Sequence, residues 1–146
     1  MHSEGETNDM KRRNQKGAVA VEFALVLPVL LILVFGIIEF SLVLYDQAIM
    51  TNASREAARA GVVLSSPKPT VAQIQTVATN YLSNYLVTFG SSTTPTVTVP
   101  NGAGGSFGTP LTVNIAYTFT GLSFVSMISP LTGSLALNAT TTMNNE

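Results

Sequence analysis

An apolar run that opens at Ala18 and closes at Tyr45 leaves this chain few ways to fold. From Phe23 to Ile38 it carries no charged residue, and after Glu39 it resumes as Phe40-Ser-Leu-Val-Leu-Tyr45. As a helix rising 1.5 Å per residue, residues 18–45 would extend about 42 Å, more than the roughly 30 Å of a hydrocarbon core. The segment is therefore long enough to cross a bilayer with some tilt. Pro28 removes one backbone donor inside it, and Gly36 is a second weak point; membrane helices tolerate both where neighbours satisfy the freed groups.

What precedes the run sets its expected orientation. Lys11, Arg12, Arg13 and Lys16 stand directly before it, and only Arg55 and Arg59 follow it closely. The positive-inside tendency then places the N-terminus in the cytoplasm and everything after Tyr45 across the membrane. Residues Met1 to Asn14 are polar, without hydrophobic periodicity, and read as a disordered cytoplasmic leader. A cleaved secretory signal is a poor fit, because the run exceeds a 7–15-residue h-region and the nearest small-x-small site, Ala58-Arg59-Ala60, lies well beyond it.

Beyond the run, residues 46–146 read as an exported domain. The first segment, Asp46 to Gly61, stays helical but is too polar for lipid, so one helix is expected from about Ala18 to Val63. Ala53, Ala57 and Gly61 recur every four residues and put three small side chains on one face. Such a seam admits close packing, either of the protein's own sheet or of a neighbouring subunit's helix. A second helix is expected at about 70–89: Thr70 and Gln73 fit a capping box, and Val71, Ile74, Val77, Ala78, Tyr81, Leu82, Tyr85 and Leu86 follow helical spacing.

The remainder alternates like strands, at about 96–99, 111–120 and 134–142, with Gly121 to Ser129 as a short helix or irregular connection. The fold class expected is α+β: a long N-terminal transmembrane helix continuing into a domain with an amphipathic helix and a small antiparallel sheet.

Composition excludes several function classes. A formal net charge of −1 and a charged fraction of 10% give no electrostatic case for nucleic acid. The chain has no cysteine, so a disulfide framework and a thiolate metal site are both excluded. No metal-ligating cluster and no cofactor motif is visible. Gly104-Gly105-Ser106-Phe107-Gly108 matches the G-x-S-x-G pattern of hydrolases, but the lone histidine is His2, and the motif needs a strand–turn–helix setting with a histidine partner. The expectation is a structural component, not an enzyme. Asn52-Ala-Ser54 and Asn138-Ala-Thr140 match the glycosylation acceptor, a pattern common by chance.

One chemically costly residue remains. Glu22 sits just inside the apolar run, where an unpaired carboxylate must reach the interface, be protonated or be paired. Glu39 faces the same choice near the other end.

Basic residues, then Gly17, Ala18, and Glu22-Phe23 as the fifth and sixth residues after the glycine, resemble a type IV prepilin cleavage site of the Flp/Tad (type IVb) branch. More narrowly, Gly17-Ala-Val-Ala-Val-Glu-Phe-Ala-Leu-Val-Leu-Pro28, then Gly36-Ile-Ile-Glu-Phe40, then Asn52-Ala-Ser-Arg-Glu-Ala-Ala-Arg59-Ala-Gly61 resemble the TadE-like minor pilins or pseudopilins. Glu39, Arg55, Glu56 and Arg59 fall in those motifs. The resemblance implies that prepilin peptidase cuts after Gly17, removing residues 1–17 with the anchoring charges of Lys11, Arg12, Arg13 and Lys16. It further implies that residues 18–45 form the transmembrane and assembly helix, with the new Ala18 amine pairing with Glu22 of a neighbour. The partners implied are the peptidase, other pilin and minor-pilin subunits, an inner-membrane assembly platform and membrane lipid. The location implied is the bacterial inner membrane, single-pass, and the pilus or cell surface after assembly. Against this stand two other readings: an unprocessed single-pass binding module, and a pseudopilin of a type II secretion system.

Overall fold

The computed structural model describes residues 3–88, 93–121 and 134–146, with side chains from Gly17 onward. Helix α1 spans Ser3–Val62 and α2 spans Val71–Tyr85. The strands are β1 (Thr96–Asn101), β2 (Pro110–Phe119) and β3 (Leu135–Asn144). They form one antiparallel sheet in the order β1-β2-β3. The architecture is α+β, with a long apolar helix preceding a helix-and-sheet domain. Two compact units divide the chain, residues 1–38 and 39–146.

Several boundaries differ from expectation. α1 begins at Ser3 and not near Ala18, so the leader expected to be disordered is helical from that residue. Lysine, arginine, glutamine and glutamate have good helix propensity and propagate an existing helix at little cost. α1 runs unbroken through Pro28 and Gly36. α2 stops at Tyr85, short of residue 89, where Leu86 turns extended at ψ 134 and its N–H returns to the Leu82 carbonyl. The Gly121–Ser129 connection lies outside the described residues after Gly121, as do residues 89–92.

The second unit is built on the small-residue face of α1. Met50, Ala53, Ala57 and Ala58 are fully buried, with Ile49 and Val62 beside them. β2 turns Leu111, Val113, Ile115, Tyr117 and Phe119 to the same core, and β3 adds Leu137 and Ala139. α2 contributes Ile74, Ala78 and Leu82. Val71 and Tyr85, at the ends of the expected stripe, remain exposed. Thr70 caps α2 as its spacing predicts: Gln73 N–H donates to the Thr70 hydroxyl at 3.3 Å, and the Gln73 side-chain oxygen accepts from Thr70 N–H at 2.8 Å.

Helix side chains also hold the two edge strands. Gln47 on α1 donates to the Asn138 carbonyl of β3 at 2.8 Å, and Gln75 on α2 donates to the Val97 carbonyl of β1 at 2.9 Å. Ser54 of α1 bonds the Thr141 hydroxyl at 2.7 Å, and Glu146 N–H reaches the Val62 carbonyl at 3.0 Å. That last bond serves one of the carbonyls every helix leaves open at its C-terminus.

Gly61 shows how closely α1 is approached. A Cβ there would strike Leu111 Cδ2 and lie 2.8 Å from Ile74 Cδ1. Both side chains belong to a packed core, where overpacking costs about 1–3 kcal/mol. Gly61→Val is therefore expected to destabilise the domain by about 2 kcal/mol. The check is the denaturant unfolding midpoint of the full chain in phosphatidylcholine nanodiscs; a midpoint equal to wild type would contradict this packing.

Candidate functional site

Three groups of residues carry chemistry, and the structure places them differently. The first is the Gly17–Phe23 turn. Gly17, Ala18, Glu22 and Phe23 are all exposed, and nothing surrounds the Gly17 Cβ position within 4 Å. Ala18 and Glu22 stand four apart on one helix, so they share a face. From there the large side chains lie open on every side of α1: Val19, Val21, Leu25, Val29 and Leu33 are each more than half exposed. A helix apolar all round with nothing packed on it needs lipid or other helices as its surroundings. Among the described residues, α1 is the one helix long and apolar enough to cross a membrane, and none of its most apolar window is buried.

The second group lies on the outer half of α1. Ala53 and Ala57 are fully buried within the chain, and Gly61 lies under Leu111 and Ile74. The protein's own sheet and α2 thus occupy the seam, which closes it to a neighbouring helix. Arg55, Glu56 and Arg59 lie on the opposite, exposed face. Glu39 is half-buried, and its carboxylate fills the space a Cβ on Gly121 would need. Lys11, Arg12, Arg13 and Lys16 lie on the helical leader, ahead of the described side chains.

The third group was not singled out from the sequence. Asp46, the first residue after the apolar run, is fully buried in the domain core. Its Oδ1 accepts from Val87 N–H at 3.0 Å, just past the end of α2, while its Oδ2 has no partner. The Tyr117 hydroxyl of β2 is likewise buried and unpartnered. Burial raises the Asp46 pKa above the usual carboxylate value, with the Val87 N–H partly opposing it. Burial, and then the nearby Asp46 charge, push the Tyr117 hydroxyl up as well. A signal for Asp46 did exist: positions 46, 50, 53 and 57 make one helical stripe, and three of the four are core residues.

Residues 102–109 form a turn between β1 and β2. Gly102 has φ 84, and a Cβ there would collide with the Pro110 carbonyl oxygen and Leu111 backbone. Asn145 ties the turn down through Nδ2, which donates to the carbonyls of Gly102 at 3.0 Å and Thr109 at 2.8 Å. The loop holding Ser106 leads directly into strand β2 and not into a helix, so the strand–turn–helix setting of a nucleophile elbow is not formed. Among the described residues, no group of three or more His, Cys, Asp or Glu is placed to hold a metal ion.

A folded-state carboxyl with a raised pKa binds its proton more tightly than the unfolded chain does. Its contribution is then greatest below the unfolded value and is lost as pH rises through the folded value. The domain should gain stability as pH falls from neutral towards 3.8, the ordinary Asp value. Asp46→Asn should remove that dependence and stabilise the neutral-pH protein by about 1 kcal/mol. Unfolding midpoints of both chains between pH 7 and pH 4.5 test this; parallel curves would show that Asp46 does not titrate in the window.

Among curated proteins and solved structures, none matches the chain. Residues 17–59, which hold the glycine–glutamate turn, the apolar run and Arg55, Glu56 and Arg59, match the family model described as TadE-like protein.

Proposed function

We propose that this protein is a minor pilin or pseudopilin of a Tad-type (type IVb) assembly. In this reading prepilin peptidase cuts it after Gly17, and its packing with other subunits contributes to pilus biogenesis, adhesion or secretion. The observation that carries the reading is the exposed Gly17–Phe23 turn, followed along α1 by an apolar stretch whose most apolar window is wholly unburied. A peptidase needs that turn accessible, and an assembly helix needs its side chains free for lipid first and neighbouring subunits later.

The chain sits in the bacterial inner membrane, single-pass, with the leader cytoplasmic and residues 46–146 exported. Cleavage frees a positively charged amine on Ala18. In a bundle of such helices a neighbour's Glu22 pairs with it, in surroundings where an unpaired partner would be costly to bury. The pair selects register more than it adds net stability. Removing Lys11, Arg12, Arg13 and Lys16 also lifts the charges that hold the helix to the inner face, which eases its transfer at the assembly platform. Since the Ala53–Gly61 seam is occupied within the chain, contacts between subunits fall to the apolar half of α1 and to exposed residues such as Arg55, Glu56 and Arg59.

Intact mass and N-terminal peptide mapping from the native host, with its prepilin peptidase active, should find a chain beginning at Ala18. A chain still beginning at Met1 while other substrates are cut would sink processing. Glu22→Gln should be cleaved and inserted normally yet recovered in sheared fibres at no more than about a tenth of the wild-type level, a loss matching one missing charge pair. Normal incorporation of that variant would count against the amine–carboxylate pairing.

A further inference from the structure

From Val71 to Asn145 the sequence contains no Asp, Glu, Lys, Arg or His. Surfaces of small soluble domains ordinarily carry roughly a quarter to a third charged residues. α2, the sheet and their described loops therefore present an uncharged exterior, and a depression lies on the outer face of the sheet. On the sheet face away from the core, Thr96, Ala116 and Asn138 stand opposite one another across the three strands. Thr98, Asn114 and Thr140 form the next row. All six are exposed. Ala116, the small residue at the centre of its row, is flanked by longer polar side chains, and the depression over it encloses about 270 Å³.

The walls of this cleft are set before any ligand arrives. Thr140 donates to the Asn114 side-chain oxygen, which leaves the Asn114 amide N–H groups as outward donors. One row on, the Thr112 and Thr142 hydroxyls bond each other at 3.1 Å. Side chains held by cross-strand bonds lose little further freedom on binding.

We propose that this cleft binds a neutral saccharide. A sugar hydroxyl both donates and accepts, as do the threonine hydroxyls and asparagine amides around it, while Ala116 and the threonine methyls offer an apolar floor for ring C–H groups. The alternatives fit worse. An anionic or cationic ligand would shed its hydration against a face with no counter-charge. A peptide adding as a strand needs open sheet edges, and Gln47 and Gln75 already hold carbonyls of both edge strands. Two rows of three residues give a second copy far less than the roughly 800 Å² per partner of a stable interface. The volume lies just under the usual range of about 300–1,000 Å³ for small-molecule sites, which suits one sugar ring better than a large ligand. Affinity should be weak, with a Kd on the order of 1 mM, and useful through repetition along a polymer.

The inference rests on the reading that residues 46–146 are exported, and its test is independent of that reading. Saturation-transfer NMR on the full chain in phosphatidylcholine nanodiscs, open to solvent on both sides, would use maltotetraose, cellotetraose and chitotetraose, with tetragalacturonate as the charged control. At least one neutral tetrasaccharide should give signal. Ala116→Leu, which fills the cleft, and Thr140→Val, which removes its hydroxyl at constant shape, should each weaken binding tenfold or more with unfolding midpoints unchanged. No signal from any neutral probe, equal signal from tetragalacturonate, or wild-type binding by Ala116→Leu would overturn the proposal. So would disulfide-linked dimers of Thr98→Cys in native membranes, since the chain has no other cysteine and such dimers would show a second copy on this face. Failure of export would show separately, as protection of the domain from protease added outside spheroplasts.

Discussion

α1 has to satisfy two kinds of surroundings along one unbroken backbone, and every other feature of the protein is placed by where it changes from one to the other. Up to Val34 its large apolar side chains are exposed, Leu42 and Val43 are half-buried against the core, and from Asp46 onward one stripe is buried and the opposite face is polar. A helix of the first kind is stable only where water is absent, since its backbone groups bond internally and its side chains then cost nothing to expose. A helix of the second kind needs something to cover its stripe. The sheet and α2 supply that cover. Small residues at Ala53, Ala57 and Gly61 let them come close enough that Leu111 and Ile74 fill the space beside Gly61.

Covering the stripe so tightly leaves a small core with few large residues on the α1 side, and polar contacts do much of the orienting. Gln47, Ser54 and the Val62 carbonyl each bond a strand or the chain's tail from α1, and Gln75 does so from α2. Each such bond adds only about 1 kcal/mol net. Their value lies in direction: they fix which strand edge meets which helix turn, which apolar contact alone leaves free. They also occupy carbonyls that an exposed edge would otherwise offer to another chain.

Much of this was legible in the residues, and the parts that were not share a cause. Strand β2 was readable because Leu111, Val113, Ile115, Tyr117 and Phe119 alternate over ten residues with one face buried, so period and burial agree. The start of α2 was readable because the Thr70–Gln73 box is local. The Gly17–Phe23 turn is exposed on α1. The ownership of the Ala53–Gly61 seam was not readable, because small residues at every fourth position are equally good for a sheet of the same chain and a helix of another. The helical leader was missed because polarity was taken for disorder, whereas a helix already nucleated downstream extends through such residues cheaply. The burial of Asp46 was not readable, since its hydrogen bond to Val87 depends on where α2 ends, 41 positions further along the chain.

The two carboxylates nearest the ends of the apolar run illustrate how position decides chemistry. Glu22 is exposed on the apolar part of α1, and in the proposed reading its partner comes from outside the fold. Asp46 is sealed inside the fold with one hydrogen bond and no cation: after Lys16 the chain's basic residues are Arg55, Arg59 and Lys68. The two arginines are exposed, and Lys68 donates to the Gly105 carbonyl. A buried acid with no counter-charge is a cost, and the cost is attached to one arrangement, with the end of α2 held against the first turn of α1 beyond the apolar run. Sliding that turn into lipid would strip Asp46 of the Val87 N–H and leave it with no donor at all, which is worse than the cost it already bears. Even as a poor contributor to stability, Asp46 lies where the apolar run gives way to the buried stripe of α1.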